Sequence, residues 1–202
     1  IINQYKEVVT KTNLDARFFE IEIFSTIRAI LEGVSAPIMI FDMGASTTKL
    51  YILERGIVQN SHTIIRGSQD ITANMARILG ISFEDAEVVK RNIGIGKTAE
   101  GVDTLEAVSL VADSIFAEAN RFLFEFQKKR NANIKSVFLT GGGSALKGFR
   151  DLAAENFKVD VVSADPFGKV ETPAFLENIL KVTGPEFTVA VGLALRCLEE
   201  IE

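Results

Sequence analysis

Three short segments carry residues whose types and spacing could do chemistry. In Ile40-Phe41-Asp42-Met43-Gly44-Ala45-Ser46-Thr47-Thr48-Lys49 an acidic residue leaves an apolar run, a glycine turns the chain, and three hydroxyls follow. Gly44 would let successive amide N–H groups face one anion, and Ser46, Thr47 and Thr48 add donors, so the segment could cradle a phosphate. Asp42 would organise Mg²⁺ through water, since that ion keeps much of its hydration and takes only one or two carboxylates. An ordinary Asx-type hairpin turn accounts for the same residues. In Val137–Ser144, the successive Gly141, Gly142 and Gly143 ahead of Ser144 remove every side chain where a base or ribose could lie against the backbone; a tight strand-to-helix turn would also use glycine. Glu87 and Lys90, three apart, share one helix face, from which they could reach a ribose and a base edge or form a plain surface ion pair.

Two other candidates fail. Gly94-Ile95-Gly96-Lys97-Thr98 ends like a phosphate-binding P-loop, but Arg91 stands where the first glycine is needed and a helix, not a strand, precedes it. His62 is the only histidine and no Cys pair accompanies it, so a zinc or charge-relay site is not expected there and a structural place on a strand is.

The elements that must position these residues follow from periodicity. Helical spacing runs through Tyr5, Val8, Val9 and Thr12, and again from Ile23 to Leu31, with Gly33 as the expected C-cap. Strands are predicted at Ile38–Phe41, Thr47–Leu53 and Ile57–Ile65, joined by hairpins. Ser68 is the expected N-cap of a helix closed by Gly80, and Ser82 that of the helix carrying Glu87 and Lys90. After a glycine-bearing loop over 93–101, the longest helix is predicted from Asp103 to Lys129, where Lys128, Lys129 and Arg130 complement the negative end of its dipole. A strand at Ser136–Thr140, the glycine turn, a helix at Ala145–Asn156 and a strand at Val159–Val162 come next. A short helix at Leu176–Leu180 and a separate final helix at Glu186–Glu200 close the chain. Such an order argues an α/β fold, a mixed sheet flanked by helices.

Composition narrows the functional classes. Of 202 residues 47% are hydrophobic and 24% charged, enough apolar material for a packed core. Against 27 Asp and Glu there are 22 Lys and Arg, a net charge of −5 with no basic stripe, which argues against a nucleic-acid partner. Apolar stretches such as Ala36–Phe41 fall far short of the roughly 20 residues that span a bilayer, so no direct membrane insertion is expected. The single cysteine, Cys197, cannot form an intrachain disulfide and is expected to be a buried, reduced thiol. The chain opens on Ile1 with no signal-peptide pattern, which reads as a cut start.

In order and spacing these segments resemble the second half of an actin-like ATPase, and most closely the PilM family of type IV pilus assembly proteins, relatives of the cell-division protein FtsA. Phe41–Thr48 is similar to the family's second phosphate motif, Ser61–Thr63 with Gly67–Thr72 to the strand and helix start after it, Ala86-Glu87-Val88-Val89-Lys90 to its Ala-Glu-x-x-Lys segment, and Leu139–Leu146 to its adenosine motif. Phe187–Arg196 resembles the family's closing helix, and Glu20–Phe24 with Arg28 and Ala29 its connecting helix.

The resemblance implies a ribonuclease H-like second actin-like domain over 33–202, with a small inserted helical and strand subdomain at roughly 66–102. Residues 1–32 would be the remnant of the first domain and the connecting helix. It implies ATP and Mg²⁺ as ligands, with Asp42 on the metal's water as the catalytic position. Gly44, Ala45, Ser46, Thr47, Thr48, Glu87, Lys90, Gly141, Gly142, Gly143 and Ser144 would stand around the nucleotide. The implied partner is the cytoplasmic tail of a PilN-type inner-membrane pilus protein, which would hold the protein at the cytoplasmic face of that membrane. Exposed apolar surface left by a missing lobe would favour self-association. Ala45 replaces a glycine common in FtsA-like chains, and Ser68 the second glycine of a Gly-Gly pair, both relaxing close backbone approach. The family's first phosphate loop would lie upstream of Ile1, so hydrolysis by this stretch alone is not expected. Two alternatives stay open: an FtsA-like division protein, which would carry a basic amphipathic tail, and a sugar-kinase-like phosphotransferase, which would need a general base that does not flank Asp42.

Overall fold

The computed structural model describes residues 2–33, 36–99 and 101–199. β1 (Ile38–Met43) is an apolar run interrupted only at Asp42, the pattern of a strand covered on both faces. β2 (Thr48–Glu54) and β3 (Ile57–Ile64) follow as an antiparallel meander, while β4 (Ser136–Thr140) and β5 (Asp160–Ser163) run parallel to β1. The five strands form one mixed sheet of order β3-β2-β1-β4-β5. Parallel neighbours need crossovers. α3 (Ser68–Leu79), α4 (Phe83–Asn92) and the long α5 (Leu105–Arg130) connect β3 to β4, and α6 (Phe149–Phe157) connects β4 to β5.

Alternation along β1 divides the core. Met39, Phe41 and Met43 point into the larger cluster, where Phe41, Phe116, Phe149 and Phe157 pack with ring centroids between 5.3 and 6.1 Å. Ile38 and Ile40 face the other way, onto Leu53 and onto Ile23 of α2 (Glu22–Ile30). α7 (Glu177–Glu199) crosses α2 so closely that a Cβ on Gly192 would lie 1.9 Å from the Ser25 carbonyl oxygen, and Arg28 donates to the Gly192 carbonyl at 3.0 Å. By contrast α1 (Ile2–Thr12) buries none of its residues.

The predicted mixed sheet flanked by helices is the observed one, and several local features differ. The two predicted closing helices are one: Pro185 lies inside α7, and its carbonyl accepts the Gly141 N–H at 3.0 Å and the Thr188 hydroxyl at 3.1 Å, which ties the helix to the glycine turn at that point. The predicted end at Glu200 lies outside the described residues. The helix after the glycine turn starts at Phe149 rather than Ala145, because residues 142–145 form a 3-10 turn and Gly148 takes φ +82°. α2 stops at Ile30 without using Gly33; Lys169 reaches from the far side of the chain to the Arg28 and Leu31 carbonyls, at 2.9 and 2.7 Å, and serves as its cap. Gly67, not Ser68, is the N-cap of α3, while Ser82 caps α4 as predicted by accepting the Asp85 N–H. Cys197 is exposed rather than buried. His62 is structural as expected, stacked on Phe122 and 2.7 Å from Glu118. Among the described residues no helix is long and apolar enough to cross a membrane.

Candidate functional site

The β1–β2 hairpin is closed by the Gly44 N–H donating to the Thr47 carbonyl at 2.9 Å. Its own carbonyls are then used by α3: Gly44 O accepts the Ser68 N–H at 3.0 Å and Ala45 O the Gln69 N–H at 2.9 Å. That docking requires Gly67, since a Cβ there would sit 2.5 Å from the Ala45 oxygen. Thr48 is buried and donates its hydroxyl to Arg66 O at 2.9 Å, tying the hairpin to the approach to α3. Ser46 is exposed at the tip.

Asp42, second to last in β1, faces a cavity of about 220 Å³ together with Gly44, Thr47, Lys49, Gly141 and Glu22. Burial pushes its carboxyl above the ordinary carboxylate range; the charge of Lys49, its cross-strand partner, opposes that and Glu22 adds to it. Lys49 is ion-paired with Glu22, so its charge is shared.

On the other side of the glycine turn lies a cavity of about 330 Å³, lined by Ala45, Glu87, Lys90, Arg91, Gly142 and Gly143 and walled by Ile71, Leu146 and Val182. Three donors converge on Glu87: Thr72 and Lys90, each at 2.7 Å, on Oε2, and Arg91, at 2.9 Å, on Oε1. Burial works to raise the Glu87 carboxyl, but these hydrogen bonds outweigh it and hold it at about 2. Lys90 is itself buried and also donates to Thr72 Oγ1 at 2.7 Å and to Ser68 O at 3.2 Å. The pair is thus an internal network, not the solvated contact that spacing alone allowed.

The three glycines play different parts. Gly141 has φ +82°, and a Cβ on it would lie 2.4 Å from Asp42 Oδ1 and 2.5 Å from Met43 O. On Gly143 a Cβ would meet Met43 Cγ at 2.5 Å, whereas on Gly142 its nearest neighbour, Glu186 Cγ, is at an ordinary 3.5 Å. Ser144 is turned inward, its hydroxyl donating to Gly141 O at 2.8 Å.

The fold therefore brings Asp42, Gly44, Thr47 and Gly141 to one cavity and Ala45, Glu87, Lys90, Gly142 and Gly143 to the adjoining one. Ser46, Thr48 and Ser144 line neither. Residues that sequence reasoning missed are Arg91, whose i,i+4 spacing from Glu87 could have revealed it, and Lys49, Val182, Thr183 and Glu186, whose places depend on strand pairing or on α7 docking over the glycine turn. Glycine backbone thus borders both cavities, with a part-buried carboxylate in one and, in the other, a carboxylate held by two cations beside an apolar wall.

The cell division protein FtsA of Agrobacterium fabrum (strain C58 / ATCC 33970) is 27% identical over 177 residues, 76% of this chain and 39% of that protein. A solved PilM-PilN type IV pilus biogenesis complex superimposes with a TM-score of 0.83 at 24% identity, over 96% of this chain and 57% of that one. MreB5 of Spiroplasma citri bound to ADP gives 0.67 at 16% identity, over 96% and 63%. The chain thus spans 39 to 63% of the length of these relatives, and the structural likenesses establish the actin-like ATPase fold. The model of the family described as type IV pilus assembly protein PilM matches residues 1–198, and on that near-complete match the chain belongs to the PilM family.

Proposed function

We propose that this chain is the nucleotide-binding lobe of an actin-like scaffold of type IV pilus assembly, taking ATP with Mg²⁺ in its cleft and held at the cytoplasmic face of the inner membrane by a PilN-type partner. Residues 33–202 would form the lobe, 66–102 its inserted subdomain, and 1–32 the link to a second lobe. The observation that carries this reading is the convergence of three segments far apart in sequence, around Asp42, Glu87 and Gly142, on adjoining cavities.

The residues fit the ligands. Among the described residues no group of three or more His, Cys, Asp or Glu could hold a metal alone, so Mg²⁺ would need phosphate and water beside Asp42, which is this ion's usual habit. A dication would also compensate a carboxylate that burial now disfavours. Gly44 and Thr47 would border the phosphates, and Glu87, Lys90, Gly142 and Gly143 the nucleoside. Nucleotide that binds one lobe arrangement more tightly would bias the surface shown to the partner. The partner is proposed from family membership and from the solved relative, itself a PilM-PilN complex.

Calorimetric titration of the intact protein with MgATP, beside an Asp42→Ala variant, tests the ligand: saturable heat in the first and affinity at least about tenfold weaker in the second are expected, the loss of a charge-assisted contact. Undetectable heat in both would refute it. Failure of the intact protein to co-purify with a PilN-type protein would remove the partner.

A further inference from the structure

We propose that the buried Thr104 is a positioning residue for the bound nucleotide: it holds the joint that sets α4 against the glycine turn and thereby fixes the width of the cavity between them, an assignment that rests on the nucleotide reading above. That cavity has two walls from distant stretches of chain, Glu87, Lys90 and Arg91 of α4 on one side and Gly142, Gly143 and Leu146 on the other. Glu87 and Lys90 bond to Thr72, and Lys90 also to the Ser68 carbonyl, which fixes α4 on α3. Its spacing from the glycine turn is set elsewhere, at Gly94-Ile95-Gly96, the segment that only resembles a phosphate loop.

The joint is close and polar. The Gly94 N–H still donates to the Lys90 carbonyl at 3.0 Å, so Gly94 moves with α4. Its φ is +67°, and a Cβ on it would lie 2.6 Å from the Lys147 carbonyl oxygen. That same oxygen accepts the Ile95 N–H at 2.9 Å, and Lys147 Nζ donates back to the Asn92 carbonyl at 2.5 Å. Lys147 directly follows Leu146 of the cavity wall. Thr104 holds the segment in this shape: its hydroxyl accepts the Gly96 N–H at 2.9 Å and lies 2.7 and 3.0 Å from the Gly94 and Gly96 carbonyls, and its own N–H donates to Gly96 O at 2.9 Å. The two glycines that flank Ile95 offer no side chain of their own, so one hydroxyl, donor and acceptor at once, keeps the joint closed. No residue of this joint lines the Asp42 cavity, so loosening it displaces the wall beside the nucleoside and leaves the phosphate end as it is.

The test is calorimetric titration of the intact protein with MgATP and with Mg-tripolyphosphate. Thr104→Val keeps the shape and removes the hydroxyl, Thr104→Ser keeps the hydroxyl, and Ile115→Val removes a buried methylene within α5 as a control for lost stability. Thr104→Val should bind MgATP about three- to tenfold more weakly than wild type, the scale of one hydrogen bond in the site going out of register. Tripolyphosphate, which has no nucleoside, should bind both proteins alike or neither. Thr104→Ser should restore most of the MgATP affinity, and Ile115→Val should not weaken it. Lys147→Met, which removes only the bond to Asn92 at the exposed edge of the joint, should act in the same direction as Thr104→Val and decides the matter should that variant not fold. Unfolded protein lowers the measured stoichiometry rather than the affinity, so a general loss of fold cannot mimic the result. MgATP affinity unchanged in Thr104→Val and Lys147→Met, equal weakening of both ligands, equal weakening in Ile115→Val, or no rescue by Thr104→Ser would each overturn the assignment while leaving nucleotide binding intact. Wild type that gave no heat with MgATP would overturn both.

Discussion

The two ends of the cleft are finished to different degrees. At the Glu87 end a buried lysine, an arginine and a threonine hydroxyl converge on one carboxylate and hold it far below its ordinary ionisation range. At the Asp42 end the carboxylate is half-buried, its nearest cation is shared with Glu22, and burial raises it. One end is complete in the absence of ligand; the other carries an electrostatic cost that a bound cation would remove. A scaffold that must hold its shape yet respond to a ligand gains from this division, since only the unsatisfied end has differential free energy to offer.

The ends differ in packing at the glycine turn as well as in charge, and the largest effect should show it. Gly141→Ala must relieve a φ of +82° and contacts of 2.4 and 2.5 Å with Asp42 and the Met43 backbone, so a loss of at least about 3 kcal/mol is expected in urea unfolding. Gly142→Ala, with 3.5 Å of room, should change stability by less than about 0.5 kcal/mol while intruding on the cavity beside Glu87. Equal losses in the two variants would mean that the glycine turn is not divided between structure and site. Next comes Lys90→Met, which leaves Glu87 and Thr72 facing an apolar chain: about 2–3 kcal/mol of destabilisation is expected by the same measurement.

A pH titration sharpens the contrast without mutation. Glu87 ionises in the folded protein at about 2 against 4.5 ordinarily. Its stabilisation is therefore fully present above roughly pH 4.5 and lost as pH falls toward 2, a loss of about 2–3 kcal/mol. Thermal unfolding followed across that window should slope accordingly, and the slope should flatten in Glu87→Gln.

Much of this was legible in the sequence, for identifiable reasons. The apolar run Ile38–Phe41, the glycine triplet and the i,i+3 spacing of Glu87 and Lys90 are local signals, and they lie on a strand, a turn and a helix as predicted. What escaped depended on docking between distant segments. The segments Leu176–Leu180 and Glu186–Glu200 read as two helices, yet one helix runs through Pro185, docked on the glycine turn by the Gly141 N–H. Gly33 reads as a cap, yet Lys169 performs that task from far along the chain. Cys197 reads as part of an apolar helical face, and only the way α7 lies on α2 leaves it in solvent. Thr48 looks like a phosphate donor by type and the family resemblance puts Ser144 beside the nucleotide, yet both hydroxyls are turned to backbone carbonyls. Glu186 offers no periodic signal at all, because an exposed acidic residue becomes part of a cleft only when its helix crosses the glycine turn.

The smallest expected effect is the most diagnostic of the difference between the ends, because it reverses sign. Asp42 ionises less readily in the folded chain than in the unfolded one, so deprotonation favours unfolding. As pH rises through its ordinary value of 3.8 and on through its raised folded value, Asp42 withdraws stability, opposite to Glu87. Asp42→Asn removes that charge with little change of shape and should stabilise the ligand-free protein at neutral pH by a few tenths to about 1 kcal/mol, while weakening any binding of MgATP. Urea unfolding of the variant beside wild type, at pH 7 and again near pH 3 where both are largely uncharged at this position, checks the prediction: the gain should be present at the first pH and shrink at the second. A destabilised variant at neutral pH would mean that the Asp42 carboxylate is already compensated within the fold, and the two ends of the cleft would then be alike.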